Sequence, residues 1–426
     1  MAIKERKLIE NAGWLFVLQA VNIILPFVTV PYVTRVFGVD RYGVFSIALN
    51  WVTYFQLVVQ YGFDLSATKK VVETETTQER SGLVSSVVAA RLLLVALCAA
   101  VTVGIGLAGA ATGEQLACMA MLFTMLVGTA IQLNWLFQGL QDMKFITIAT
   151  AIARGLSVVL IFQLVRDSSQ LVLYSFLYSI TWIVSGVLTH AFAWRRYGIR
   201  AGRTSLRAVM DEMRDGTPIF LSSAAGNIIS NVGVTVLGAC QPTAVVGAYA
   251  AVLKVPQVAN LMFTPVSQAL YPRVNEERIR SRRSAVRLVV KVGVPVTCVF
   301  AAGLLLMVAI REPLVRILFG EEYVFGADAL IPLAVWVLLG IVDNFVGVQL
   351  LLPFGHQRLY SALMVADCAL SVALSVAFGP AWGAVGVAWA IALSEAALTV
   401  GLVASLAMTL RRGGSGKHSR KEPNNG

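Results

Sequence analysis

The stretch VSSVVAARLLLVALCAAVTVGIGLAG, residues 84–109, carries a single charge, Arg91. About 20 apolar residues suffice to cross the hydrocarbon of a bilayer. In lipid every backbone N–H and C=O must be bonded within its own segment, so a run of this length is a helix and not a strand. Working outward, similar runs recur near 12–34, 42–63, 113–137, 145–165, 171–194, 218–240, 244–268, 287–310, 329–352, 361–379 and 383–410, about twelve spans in all. Hydrophobic residues make up 57% of the 426 and charged residues only 13%, against roughly 25% charged in an ordinary soluble domain. Such a chain lacks the polar surface to stay in water. Lys4-Glu5-Arg6-Lys7 precedes the first run, which is too long for a signal peptide and has no small-residue cleavage site, so it reads as the first span.

Loop charges orient the bundle. With both termini in the cytoplasm, the inside segments hold 26 Lys and Arg and the outside segments 5, while three more lie within spans. That asymmetry is the positive-inside pattern, and a shift of one span would scramble it. The net charge of +11 is therefore topology and not a nucleic-acid footprint. Cys98, Cys118, Cys240, Cys298 and Cys368 are odd in number, lack CxxC spacing and sit in apolar runs, as packing residues do. His190, His356 and His418 show no metal-ligand spacing. Nothing in the pattern calls for a metal or a cofactor.

An internal repeat suggests how the spans are grouped. Tyr42-Gly43-Val44-Phe45 opens span two and Val246-Gly247-Ala248-Tyr249 opens span eight, each placing a glycine near an aromatic at the outer mouth. Six spans per half is an even number, so the halves point the same way. The expected architecture is all-α, with two parallel six-helix lobes around a central cavity. The lobes are expected at 1–200 and 218–410, joined by a cytoplasmic interfacial helix at 201–217 and followed by a disordered cytoplasmic tail at 411–426. Leu206, Val209, Met210 and Met213 give the linker helix its apolar face, Arg203, Arg207 and Arg214 flank it, and Gly216-Thr217-Pro218 ends it. Pro26, Pro31, Pro256 and Pro265 mark expected helix breaks. The basic loop from Arg273 to Arg287 reads as a topology determinant with lipid contacts.

Charges inside the spans carry the functional signal. Arg91, Arg154 and Lys254 are the cations, and Asp343, Asp367 and Glu395 the anions. Each costs roughly 2.5–3.5 kcal/mol at the bilayer centre. They must face an aqueous cavity or one another, except that Arg91 and Asp367 lie close enough to the cytoplasmic end to snorkel. No carboxylate lies in the interior of a span before Asp343, a distribution that suits an anionic substrate better than a cationic drug. Two accounts remain open: Arg154 and Lys254 line an anion-binding cavity, or they pair with Asp343 or Glu395 to lock the halves. Polar stripes add candidates for a sugar-lined path. They are Ser223, Asn227, Asn231 and Thr235 on span seven, Asn50 on span two, and Gln257 beside Lys254 on span eight. The cavity set is thus Lys254, Arg154, Arg91, Asn227, Asn231, Gln257 and Asn50. Glu395, Asp343 and Asp367 are the candidates for gating or ion coupling.

Three further stretches resemble a known family. They are Pro31-Tyr32-Val33-Thr34-Arg35-Val36-Phe37-Gly38, Tyr61-Gly62-Phe63-Asp64-Leu65-Ser66-Ala67-Thr68-Lys69-Lys70, and Trp135-Leu136-Phe137-Gln138-Gly139-Leu140-Gln141-Asp142. With Gly383-Ala384-Val385-Gly386 and Ser394-Glu395 they resemble the bacterial oligosaccharide (O-antigen type) flippases of the multidrug/oligosaccharidyl-lipid/polysaccharide exporter superfamily. The resemblance implies alternating access in the inner membrane and a substrate of oligosaccharide on undecaprenyl pyrophosphate. Lys254, Arg154 and Arg91 are then candidates for the pyrophosphate, and Asp64 for a gate or fold element. It also implies membrane lipids and polysaccharide polymerase machinery as partners. The alternatives are a multidrug or peptidoglycan-precursor exporter of the same superfamily, or a membrane-bound glycan polymerase or ligase. An enzyme of that kind needs a sizeable loop with convergent catalytic groups, and 311–328 contains no histidine.

Overall fold

The computed structural model describes residues 2–109, 111–200, 202 and 204–415. Among them there is helix and no strand. Nine stretches are long and apolar enough to cross a membrane. The first and last of these are each two spans joined at a glycine: α1 (Ala2–Gln60) is interrupted at Gly38 (φ 71°, ψ 174°) and α13 (Gln357–Ser415) at Gly383 (φ 56°, ψ −136°). Those backbone angles are open essentially to glycine alone. With the apolar part of α8 (Leu206–Cys240) the count is twelve among the described residues.

The chain forms two compact units, Met1–Ala251 with Val315–Phe325, and Val252–Leu314 with Gly326–Gly426. In the first unit α2 (Phe63–Glu73) follows α1, and then come α3 (Thr77–Leu107), α4 (Gly113–Ile131), α5 (Asn134–Gly139), α6 (Met143–Leu164) and α7 (Leu171–Tyr197). Capping fixes where these helices start. Thr76 Oγ1 accepts from Glu79 N at 3.2 Å while the Glu79 carboxylate accepts from Thr76 N at 3.3 Å, and Thr112 with Gln115 repeats the device at α4.

Cross-helix bonds give the directions. Asn11 Nδ2 donates to Gln141 O at 2.8 Å and Tyr32 donates to Val165 O at 2.6 Å, so the first half of α1 runs alongside and parallel to α6. Beyond Gly38 the chain returns: Arg41 lies 3.5 Å from Glu114, and Gln56 donates to Thr129 at 3.0 Å. The segments expected on one membrane side do gather at one end of this unit. There Lys70 meets Glu212, Tyr197 donates to Asp142, and Arg200 N donates to Ser81 at 3.2 Å. Asp40, Thr243 and Tyr323 collect at the other end.

Three sequence expectations change here. The helix expected at 201–217 is not separate: α8 runs through Gly216-Thr217-Pro218 without ending. A proline removes one internal hydrogen bond, and inside a packed bundle neighbouring groups make up for it. Pro26 and Pro31 in α1, and Pro256 and Pro265 in α9 (Thr243–Arg280), likewise sit inside continuous helix. The units divide at Ala251, later than the expected linker, because α8 and the start of α9 pack on α1. Arg203 and the part of the expected tail at 416–426 lie outside the described residues.

The second unit holds the rest of α9, α10 (Arg282–Ala309), the start of α11 (Arg311–Phe319) as far as Leu314, α12 (Leu330–Asp343) and α13. Between α12 and α13 the chain winds as a π-helix over Asn344–Leu351. Wide turns of this kind are rare and tend to occur at functional sites. Gln349 Nε2 holds the turn by donating to Ser267 O and Ser267 Oγ, both at 3.0 Å.

Candidate functional site

Arg91 is the most enclosed of the three cations, at 1% exposure. Its Nη2 donates to Asp64 Oδ1 at 2.7 Å, and its Nη1 donates to Thr129 O and Gln132 O at 3.2 and 3.1 Å. The guanidinium also lies 5.8 Å from the Phe63 ring centroid. Arg91 therefore does not snorkel; it ties α3 to α2 and to the end of α4. Asp64 and Arg91, placed in different roles by sequence, are partners of each other.

Arg154, midway along α6, is half-buried, and among the described residues it forms no ion pair with a carboxylate. The Tyr178 phenol lies close enough to act on it electrostatically. Tyr178 belongs to an aromatic ladder on α7, with Tyr174 at 6.2 Å and Trp182 at 5.5 Å between ring centroids, and Phe45 meets it edge-on at 5.6 Å. The spacing of Tyr174, Tyr178 and Trp182, one residue every helical turn, was the sequence signal for this ladder. It is absent from the polar stripes read above.

Those stripes are partly glue. Asn50 Nδ2 donates to Thr235 Oγ1 at 2.8 Å, and the Tyr54 hydroxyl lies 2.9 Å from the same oxygen. Asn231 Nδ2 donates to Asn227 O one turn back at 2.9 Å. The seam joins α8 to the second half of α1, leaving Asn227 and Asn231 half-buried. The Ser223 side chain lies outside the described residues.

In the second unit the three acids come together. The carboxyls of Asp343 and Glu395 are within hydrogen-bonding reach, with Asp367 close enough to act on Glu395 and Asp343 by charge. Glu395 Oε1 lies over Gly340, 3.4 Å from where a Cβ would stand there. Asp343 and Asp367 are 6% and 4% exposed, and none of their four carboxylate oxygens receives a hydrogen bond from the described residues. Ser394 and Thr399 are close by, but their hydroxyls donate to Ile391 O and Glu395 O. Asp367 thus does not snorkel either. Within the second unit no cation forms an ion pair with this cluster among the described residues, so the acids do not pair with Lys254. A proton shared by Asp343 and Glu395 would satisfy both.

Lys254 is exposed at mid-span and, among the described residues, makes no ion pair; Gln257 one turn on is half-buried. Arg154, Lys254 and the acid cluster are thus charges within spans that make no ion pair among the described residues, and such charge is costly in a membrane.

Comparison with known proteins gives the family. The polysaccharide biosynthesis protein family matches residues 8–277, more than half of the chain. The chain belongs to that family. A protein of Escherichia coli (strain K12) named "Putative O-antigen transporter" is 24% identical over 391 residues, covering 92% of this chain and 94% of that protein. A protein of the same name from Shigella dysenteriae is 24% identical over 84% of this chain and 89% of its own. Among solved structures, the lipid II flippase MurJ in an inward closed conformation superposes with a TM-score of 0.72 at 11% identity, covering 94% of this chain and 87% of MurJ. An inward-facing multidrug resistance MATE family transporter of the MOP superfamily gives 0.66 at 13% identity, covering 93% and 96%. This family member therefore shares the all-helical fold of MurJ and the MATE transporters, and its named relatives are transporters and flippases, not enzymes. It is a multi-pass membrane protein.

Proposed function

We propose that this chain flips an oligosaccharide linked to undecaprenyl pyrophosphate from the cytoplasmic to the periplasmic leaflet of the bacterial inner membrane, by alternating access, with both termini cytoplasmic. The observation that carries the reading is that Arg154 and Lys254 lie at mid-span with no carboxylate ion pair among the described residues. A pyrophosphate supplies the charge that such groups lack, and guanidinium and ammonium bind phosphate oxygens well. The aromatic ladder Tyr174, Tyr178 and Trp182 offers flat apolar faces for sugar rings, and Asn227, Asn231 and Gln257 offer amides for their hydroxyls. The names of the relatives support an O-antigen type of glycan. Asp343, Glu395 and Asp367 would carry the coupling proton.

Deleting the gene and labelling lipid-linked oligosaccharide by leaflet tests this directly. The glycan should accumulate on the cytoplasmic face, and its normal appearance outside overturns the reading. In a complemented strain, Arg154→Gln with Lys254→Gln should abolish flipping while the protein still folds. Full activity of that double variant removes both residues from the site.

A further inference from the structure

A cavity of 490 Å³ lies in the second unit where the start of α10, the turn before α13 and the C-terminal part of α13 meet. Arg282, His356, Ser405 and Thr409 supply its polar lining, and among the described residues no carboxylate joins them. The Arg282 guanidinium rests 5.5 Å from the centroid of Phe354, which forms a buried apolar wall. That wall is anchored in turn, since Arg278 donates to Pro353 O.

Arg282 calls for an anion here. Arg282 and Arg283 open α10, where the helix dipole presents its positive end. The Glu277 carboxylate accepts from Ser284 in that first turn but is no part of the cavity lining, so Arg282 meets the cavity without a carboxylate beside it. The His356 imidazole joins the same lining, with Nε2 3.2 Å from Thr409 Oγ1.

The other pole of the cavity accepts hydrogen bonds. Ser405 Oγ donates to Gly401 O at 2.7 Å and Thr409 Oγ1 donates to Ser405 O at 2.9 Å, so both hydroxyl hydrogens are committed to the helix. Their oxygens keep lone pairs. Thr409 Oγ1 uses one toward His356 Nε2, 3.2 Å away. A ligand that fits must bring negative charge at one end and a hydroxyl or similar donor at the other.

The walls exclude a purely polar ligand. Leu359 and Met408 are 39% and 53% exposed beside the cavity, and Val400 and Val403 are exposed further back along α13. In a membrane these side chains meet lipid tails. Free phosphate would leave Leu359 and Met408 uncovered, whereas an amphiphile would cover them.

We propose that this cavity holds the head group of an anionic glycerophospholipid that carries a free hydroxyl, as phosphatidylglycerol does. Arg282 binds the phosphate, His356 holds Thr409 in place, Thr409 and Ser405 accept from the head-group hydroxyl, and the acyl chains leave along Leu359 and Met408. Basic pockets among membrane helices on the cytoplasmic side are suited to anionic head groups. The site is independent of Arg154 and Lys254.

The test uses the full chain, purified and released from nanodiscs, with bound lipid followed by native mass spectrometry. Wild type should retain one phosphatidylglycerol at an activation energy that strips phosphatidylcholine and phosphatidylethanolamine. Arg282→Gln should lower that retention by about tenfold, the usual scale for one charge-assisted contact. Thr409→Val keeps the shape and removes one of the two acceptors, so it should weaken the preference for phosphatidylglycerol over phosphatidic acid, which lacks the head-group hydroxyl. This second variant carries the test if Arg282→Gln fails to fold. Equal retention of phosphatidylglycerol and phosphatidylcholine by wild type overturns the proposal. So does an unchanged Thr409→Val, or displacement of the lipid by inorganic phosphate.

Discussion

Gly43 and Gly247 cross at a single point in the first unit: a Cβ added to Gly247 would stand 2.9 Å from Gly43 N and 2.1 Å from Val39 O. The converse holds, since a Cβ on Gly43 would stand 1.9 Å from Thr243 O. These are the glycines of the two repeat-related stretches. Their contact gives the repeat a physical reason, close backbone approach between helices where only hydrogen fits. Gly247→Ala should cost about 3 kcal/mol, the upper range for overpacking, because the obstacle is backbone and cannot rotate away. Chemical unfolding in detergent measures it, and a wild-type midpoint would contradict the crossing.

Arg91 with Asp64 makes a second stability prediction. Removing Arg91 leaves Asp64 without its cation, and Thr129 O and Gln132 O without their donor. Removing Asp64 strands a guanidinium at 1% exposure, although the Asp64 side chain is itself 46% exposed and water can take its place. Arg91→Ala should therefore lower stability by about 3 kcal/mol and Asp64→Asn by less, about 1–2 kcal/mol. Thermal melting followed by size-exclusion chromatography separates the two. The reverse order would mean that the carboxylate, and not the arginine, is the element that holds α2.

Apolar run length and loop charge made the twelve spans legible, because hydrocarbon thickness and unsatisfied backbone groups leave a sequence few other choices. The buried charges could be found in the same way, but their partners could not. Pairing of Arg91 with Asp64, 27 residues apart, or of Asp343 with Glu395, depends on which helix faces meet. One charge per helix carries no such information. Pro218 misled for a related reason. A proline ends an isolated helix, whereas inside a bundle the packing of both flanks on their neighbours keeps α8 continuous.

Asp343 and Glu395 lead to a functional prediction. If a shared proton satisfies the pair, Glu395→Gln keeps the hydrogen bond, removes the exchangeable proton, and leaves the fold intact. Transport in proteoliposomes driven by a proton gradient should fall at least tenfold, while exchange of labelled for unlabelled substrate without a gradient continues. Loss of both activities would place Glu395 in the substrate path instead. Undiminished gradient-driven transport would remove the cluster from coupling.

Lys70 bridges Glu212 at 2.9 Å and Asp215 at 2.7 Å, joining α2 to the first turns of α8. Burial pushes the Glu212 carboxyl above its ordinary value, and the attraction of Lys70 only partly offsets that. Glu212 is 7% exposed, and its second oxygen has no hydrogen-bond partner among the described residues. A carboxyl whose folded value is raised binds its proton more tightly in the native state than in the unfolded chain. Its contribution is therefore present at low pH and is lost as pH rises from the ordinary carboxylate value through the raised one. The usual pattern for a salt-bridged carboxylate has the opposite sign. Glu212→Gln should flatten this part of the pH–stability curve and be tolerated near neutral pH, because Lys70 keeps Asp215. Asp215→Asn should instead leave the slope in place, since the buried acid remains. Melting temperatures of the three proteins across mildly acidic to neutral pH decide the matter, and a slope that survives in Glu212→Gln would assign it to another group.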